Sequence, residues 1–83
     1  MDDKERQKHI FSLKIQIQKI LLEYAFKNKD FSFHGRSITF FALMETLYDV
    51  LYAMIDQGLP SKEVIICLEK VFGNLIKSLE KRG

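Results

Sequence analysis

Cysteine, proline and glycine are scarce in this 83-residue chain: one cysteine, one proline, four glycines, and no tryptophan at all. Cys67 alone can form no internal disulfide and no cysteine-based metal framework, which fits a reducing compartment. So little proline and glycine excludes a disordered, linker-like composition. Long apolar runs are also missing. The longest, 38–44 and 50–55, fall far short of the ~18 residues a membrane span takes, and Glu45, Asp49 and Asp56 interrupt that region. The densely charged N-terminus (MDDKERQK) leads into no signal-peptide apolar stretch. These absences predict a cytoplasmic protein that does not contact a membrane.

Charge of one sign is lacking as well. Thirteen basic and eleven acidic residues leave a formal charge of +2, too small to imply a polyanionic partner. Its distribution carries more information than its sum. Residues 1–29 hold seven basic and four acidic groups, residues 30–60 one and four, and residues 61–83 five and three. The local balances are therefore +3, −3 and +2 along the chain.

What is present is helical periodicity in an ordinary soluble composition, 47% hydrophobic and 29% charged. The expected organisation is one helical domain over residues 1–83: a helix at about 4–27, a loop at 28–36, a helix at 37–57, a turn at 58–60 and a helix at 61–82. Asp2 or Asp3 can cap the first helix. On it, Ile10, Leu13, Ile17, Ile20, Leu21 and Tyr24 recur at steps of three and four and form one face. Phe11, Ile15, Leu22 and Phe26 form a second stripe, about 100–160° around the axis. The second segment is apolar over roughly half its circumference, so it is expected to be the central helix. Gly58 suits a helix C-terminus and Pro60 prevents continuation. Ser61 is the expected cap of the third segment. There, Val64, Leu68, Val71, Leu75 and Leu79 form a stripe, and Gly73 lies on the polar side. The simplest packing is all-α, an up-down-up bundle of three helices.

The first connection, Lys27–Ser37 (KNKDFSFHGRS), is the natural place to look for chemistry. Its alternation sends Phe31 and Phe33 to one side of an extended segment, so both rings are expected to plug the open end of the bundle over Phe26, Phe40 and Phe41. If a ring stays outside, Phe31, Phe33, His34 and Arg36 form a partner-binding set. Gly35, Arg36 and Ser37 open the second helix, where free backbone N–H groups favour an anion; capping alone explains them more simply. His34 has no positioned nucleophile or orienting group with which to do catalysis, and His9 lies 25 residues away. The two histidines are not at helical ligand spacing and have no cysteine partner, so no metal site is expected. Glu45, Asp49 and Asp56 share one helix face, read as solvated or as an acidic contact face for a basic partner. No Glu-x-x-His element accompanies them. We therefore expect no catalytic residues, no metal or other cofactor, and no small-molecule substrate.

The feature that remains is an apolar surplus. A three-helix bundle needs one face per helix, whereas the first helix offers two. Phe11, Ile15, Leu22 and Phe26 would leave an exposed patch of the kind that marks an interface. Symmetric homodimers are the commonest way to cover one, so the expected fold associates through its first two helices into a larger bundle. Small helical proteins of this kind occur among bacterial and phage regulators and inhibitors, a class-level analogy only. The expected function is that of a non-enzymatic protein–protein interaction module, an adaptor or inhibitor. The alternative is a nucleic-acid-associated regulator that uses Arg36 and the basic ends of the first and third helices. That alternative is the weaker, because the basic residues of the first helix are spread around its circumference rather than gathered on one face.

Overall fold

The computed structural model describes every residue of the chain except Phe33. It is all-α: 80% helical, with three helices and no strand among the described residues. Helix α1 spans Asp3–Lys27, α2 Ile38–Asp56 and α3 Ser61–Arg82. The chain divides into two compact units, Met1–Leu47 and Tyr48–Gly83, with the division inside α2. A single domain is the expectation from length, so this division was not visible beforehand.

Asp2 caps α1. Its backbone is extended and its carboxylate accepts a hydrogen bond from the Glu5 N–H at 2.8 Å, satisfying one of the free donors of the first turn. The helix closes with a Schellman motif. The Asp30 N–H donates to the Ala25 carbonyl at 2.9 Å, and the Lys29 N–H to the Phe26 carbonyl at 3.4 Å. The pivot of that motif is Lys29, with φ +50°, where glycine is usual. Helix α2 ends in the same way with glycine as its pivot. The Leu59 N–H reaches the Met54 carbonyl and the Gly58 N–H the Ile55 carbonyl, both at 3.0 Å, with Gly58 at φ +115°.

The N-terminus of α3 departs from expectation. Pro60 occupies the cap position with extended backbone, and no side chain caps the helix. Ser61 is instead the first helical residue. The reason is local: the fixed φ of proline, −65° here, is pre-organised for a helix entry, and the turn from Gly58 brings it there first.

The larger departure concerns burial. Among the described residues only Ala25 is a buried apolar side chain, and only Ser37 a buried polar one. The sequence reading makes α2 the central helix, yet no residue of α2 is buried. Its best-covered positions, Met44, Leu47, Leu51 and Ile55, are half-buried. They follow the three-and-four spacing of a single narrow stripe. In the second unit Val64, Leu68 and Phe72 of α3 are half-buried in the same periodic way. On α2 and α3 one stripe is thus half-buried, whereas on α1 only Leu21 and Ala25 are covered; the rest of each apolar circumference faces solvent. Gly73, expected on the polar side of α3, is half-buried, and a Cβ added there would meet nothing within 4 Å.

Candidate interaction surface

The loop after α1 is tied to the start of α2 by its polar residues. Asp30 reaches forward nine residues. Its carboxylate accepts from the Thr39 backbone N–H at 2.7 Å and from the Ser37 hydroxyl at 3.2 Å. The Ser37 hydroxyl in turn accepts from the Phe40 N–H at 3.1 Å. Ser37 is therefore the N-cap of α2, and Asp30 sits as a carboxylate at the helix N-terminus, where the backbone dipole favours it. The polar groups around Asp30 hold its carboxyl below its ordinary value, the nearby Thr39 hydroxyl and Thr39 N–H most, then the Ser37 hydroxyl and the Ile38 N–H, with partial burial acting in the opposite direction. The Thr39 hydroxyl makes no hydrogen bond of proper geometry, although it is buried. The Asp30 carboxylate is hydrogen-bonded by the Thr39 N–H and the Ser37 hydroxyl, the backbone bond being the shorter. The sequence reading considered Gly35, Arg36 and Ser37 as an anion site, and the anion at this helix start is the chain's own Asp30.

The other described residues of the loop are exposed. Phe31 is 64% exposed and touches Phe26 edge-to-face, with ring centroids 5.5 Å apart. An exposed ring beside another exposed ring differs from the plug expected of it. The corresponding role for Phe33 lies outside the described residues. His34 and Arg36 are exposed, and His34 has φ +31°, a left-handed conformation uncommon for a residue with a Cβ. Glu45, Asp49 and Asp56 are all exposed along α2. Among the described residues no three His, Cys, Asp or Glu side chains gather as a metal site. Cys67 is free and exposed.

Apolar clefts lie between α1 and α2 in the first unit. Ile17, Ile20 and Leu21 of α1 face Leu43 and Thr46 of α2 across about 230 Å³. Further along, Ile20, Leu21 and Tyr24 face Ile38, Thr39 and Ala42 across about 190 Å³. Residues of one α1 stripe thus line clefts with α2, although Ile17, Ile20 and Tyr24 are themselves 47, 71 and 42% exposed. The second stripe is free of these clefts, and its four residues Phe11, Ile15, Leu22 and Phe26 are 62, 45, 51 and 66% exposed.

The second unit carries the widest of these clefts, about 370 Å³. Its α2 wall is Tyr48, Leu51, Tyr52 and Ile55; its α3 wall is Val64, Ile65 and Leu68, with Ser61 at the end. Tyr48 and Tyr52 are one turn apart, with ring centroids at 4.7 Å and an interplanar angle of 31°. The adjacent Tyr52 hydroxyl raises the Tyr48 pKa, and its electrostatic interaction, desolvation and the nearby Asp49 charge push in the same direction. From the sequence, Tyr48 belongs to the broad apolar face of this helix and Tyr52 is not singled out. Their pairing as a groove wall follows from the hairpin that brings α3 alongside.

One helix among the described residues, α2, is long and apolar enough to cross a membrane, by length and composition only. No uninterrupted run in the sequence has that length, and the helix meets the criterion only as a whole. Glu45 and Asp49 straddle its midpoint, and an acidic side chain there costs about 2.5–3.5 kcal/mol on insertion. The Leu, Ile, Val and Phe residues of α2 return about 0.3–0.6 kcal/mol each on the same scale. Two central carboxylates therefore outweigh eight such residues.

Fold and surface together define an all-α chain with exposed apolar helix faces. Comparison with family models, curated proteins and solved structures finds no match.

Proposed function

We propose that this chain is a non-enzymatic helical interaction module, an adaptor or inhibitor that acts by packing its apolar helix faces against partner helices. On this reading the three helices run up-down-up and complete their core by association through α1 and α2. The chain acts by binding, and no chemical step is assigned to it. The observation that carries the reading is the exposure, among the described residues, of 25 large hydrophobic residues against a single buried apolar one. A soluble monomer rarely exposes contiguous apolar patches beyond a few hundred Å², and larger ones mark interfaces. The energetics of Glu45 and Asp49 favour a protein partner over a bilayer. Phe31, His34 and Arg36 lie on an exposed loop next to the α1 stripe and extend the binding surface with one aromatic and one guanidinium, residue types enriched at interface anchors.

The test is co-purification from the native cells of the tagged wild-type chain and of the Leu22→Asp and Phe31→Asp variants. The expected result is a stoichiometric protein partner, either a second copy or another chain, that both variants lose or weaken. A wild-type chain that is monomeric, melts cooperatively and binds no apolar dye would refute the reading, since its faces would then need no cover.

A further inference from the structure

We infer that the occupant of the groove between Tyr48 and Leu68 is α1 of a second copy of this chain, inserted by its Phe11–Ile15–Leu22 stripe, and that two such insertions, related by a two-fold axis, make a closed dimer. This inference rests on the interaction-module reading and names the partner. Three observations carry it.

The first is area. The chain exposes 7889 Å², whereas a folded monomer of its mass exposes roughly 5,200 Å² by the usual scaling. The excess is about 2,700 Å² per chain. Permanent dimers bury 2,000–5,000 Å² or more in total, so two copies covering most of each other's excess fall at the upper end of that range. A standard interface of about 800 Å² per partner would leave most of it exposed.

The second is shape. Phe11 to Leu22 is about 17 Å of helix at 1.5 Å per residue. Tyr48 to Ile55 lines about 11 Å of groove wall on α2, and α3 prolongs it. An amphipathic helix laid on such a groove anchors through residues at steps of three, four and seven. Phe11, Ile15 and Leu22 supply steps of four and seven from a face that the clefts of the first unit do not use.

The third is charge. Residues 3–19 of α1 hold five basic and two acidic groups, net +3, and residues 48–69 hold one basic and four acidic groups, net −3. At 100° per residue, Lys4, Lys8 and Lys19 fall within about 50° of the stripe's centre. Asp49 and Asp56 flank the groove on α2, and Glu69 flanks it on α3. A second copy therefore brings cations to a rim of carboxylates, in both halves at once. Like charges are kept apart, which gives the pairing specificity more than strength. A heterologous partner would have to reproduce this pattern, whereas the chain already contains both halves of it.

The experiment uses the full chain at micromolar concentration. Sedimentation equilibrium should give twice the 9.8 kDa chain mass. Ile15→Asp and Ile65→Asp, on opposite sides of the contact, should each weaken the dimer at least tenfold. Because either variant may be misfolded, contact is also read covalently. In a Cys67→Ser background, chains carrying Ile15→Cys are mixed with chains carrying Ile65→Cys. The mixed disulfide should form in preference to either self-pair. A dimer that tolerates both aspartates and gives no mixed disulfide overturns the groove assignment while the interaction-module reading stands. A dye-binding, non-cooperative monomer overturns the second copy as occupant and leaves that reading standing with another protein. Co-sedimentation with phosphatidylcholine vesicles in place of dimerisation, or a cooperative dye-free monomer, overturns both.

Discussion

Asp30 shows how much one side chain does in a chain with so little core. It ends one helix through its backbone N–H and begins the next through its carboxylate, with Ser37 as the intermediate cap. Removing the cap hydroxyl by Ser37→Ala should cost about 1 kcal/mol, measurable as a lower midpoint in urea. The carboxylate has its own pH signature. Because folding lowers the Asp30 pKa, its contribution is fully present above the unfolded value of ~3.9 and is lost as pH falls through the folded value. An Asp30→Asn variant should be less stable than wild type at pH 7, and the gap should close as pH falls below the ordinary carboxylate range. A gap that stays constant with pH would show that the carboxylate's charge is not what stabilises the turn. The loop's polar residues suggested a site in the sequence, and their partner is nine residues along the same chain. Asp30 and Thr39 are joined by tertiary geometry, which no periodicity encodes.

At the scale of elements, the helices were legible and their ends nearly so. Three-and-four spacing marks each helix because a side chain repeats on one face every 3.6 residues. Gly58 and Pro60 announce the second turn in residue types that the backbone requires. The first helix ends by the same motif but with Lys29 as its pivot, and lysine carries no such signal. The contrast predicts opposite outcomes. Lys29→Gly should stabilise the chain by about 1 kcal/mol, because it removes the Cβ strain of a left-handed conformation. Gly58→Ala, at φ +115°, should destabilise it by roughly 1–2 kcal/mol. Thermal melts of the two variants, followed by helical circular dichroism, check both signs. Periodicity did not reveal which apolar positions would be covered. On α2 it marks half the circumference, and the structure covers only the stripe through Met44, Leu47, Leu51 and Ile55, and that only in part.

For the whole molecule, the balance of burial is the central fact. An 83-residue chain with one buried apolar residue among those described has little hydrophobic free energy with which to offset the conformational entropy of about eighty ordered backbones, at ~1–2 kcal/mol each. On the proposed reading, stability and association are therefore one process. If the dimer unfolds directly to chains, each tenfold rise in concentration adds about 1.4 kcal/mol per dimer. With an unfolding entropy of ~2.1 cal/mol/K per residue, that raises Tm by about 4 °C. Melts at roughly 2, 20 and 200 µM should show this progression, and a Tm independent of concentration would exclude coupled folding and association.

The all-α class, the three helices, the two-faced character of α1 and the alternation of local charge from +3 to −3 to +2 were already determined by the sequence. Each depends on residues close together along the chain, where helical spacing, turn chemistry and composition act directly. Only the tertiary structure decided that Asp30 rather than an outside anion occupies the start of α2, that Tyr48 and Tyr52 form a groove wall with α3, and that the apolar faces stay largely uncovered. Those outcomes depend on which stripes meet which, and on how much area each meeting removes from water. The reading that follows from them, a chain whose core is completed by another helix, starts from the second stripe of α1, Phe11, Ile15, Leu22 and Phe26. Periodicity revealed that stripe, and the structure leaves it exposed.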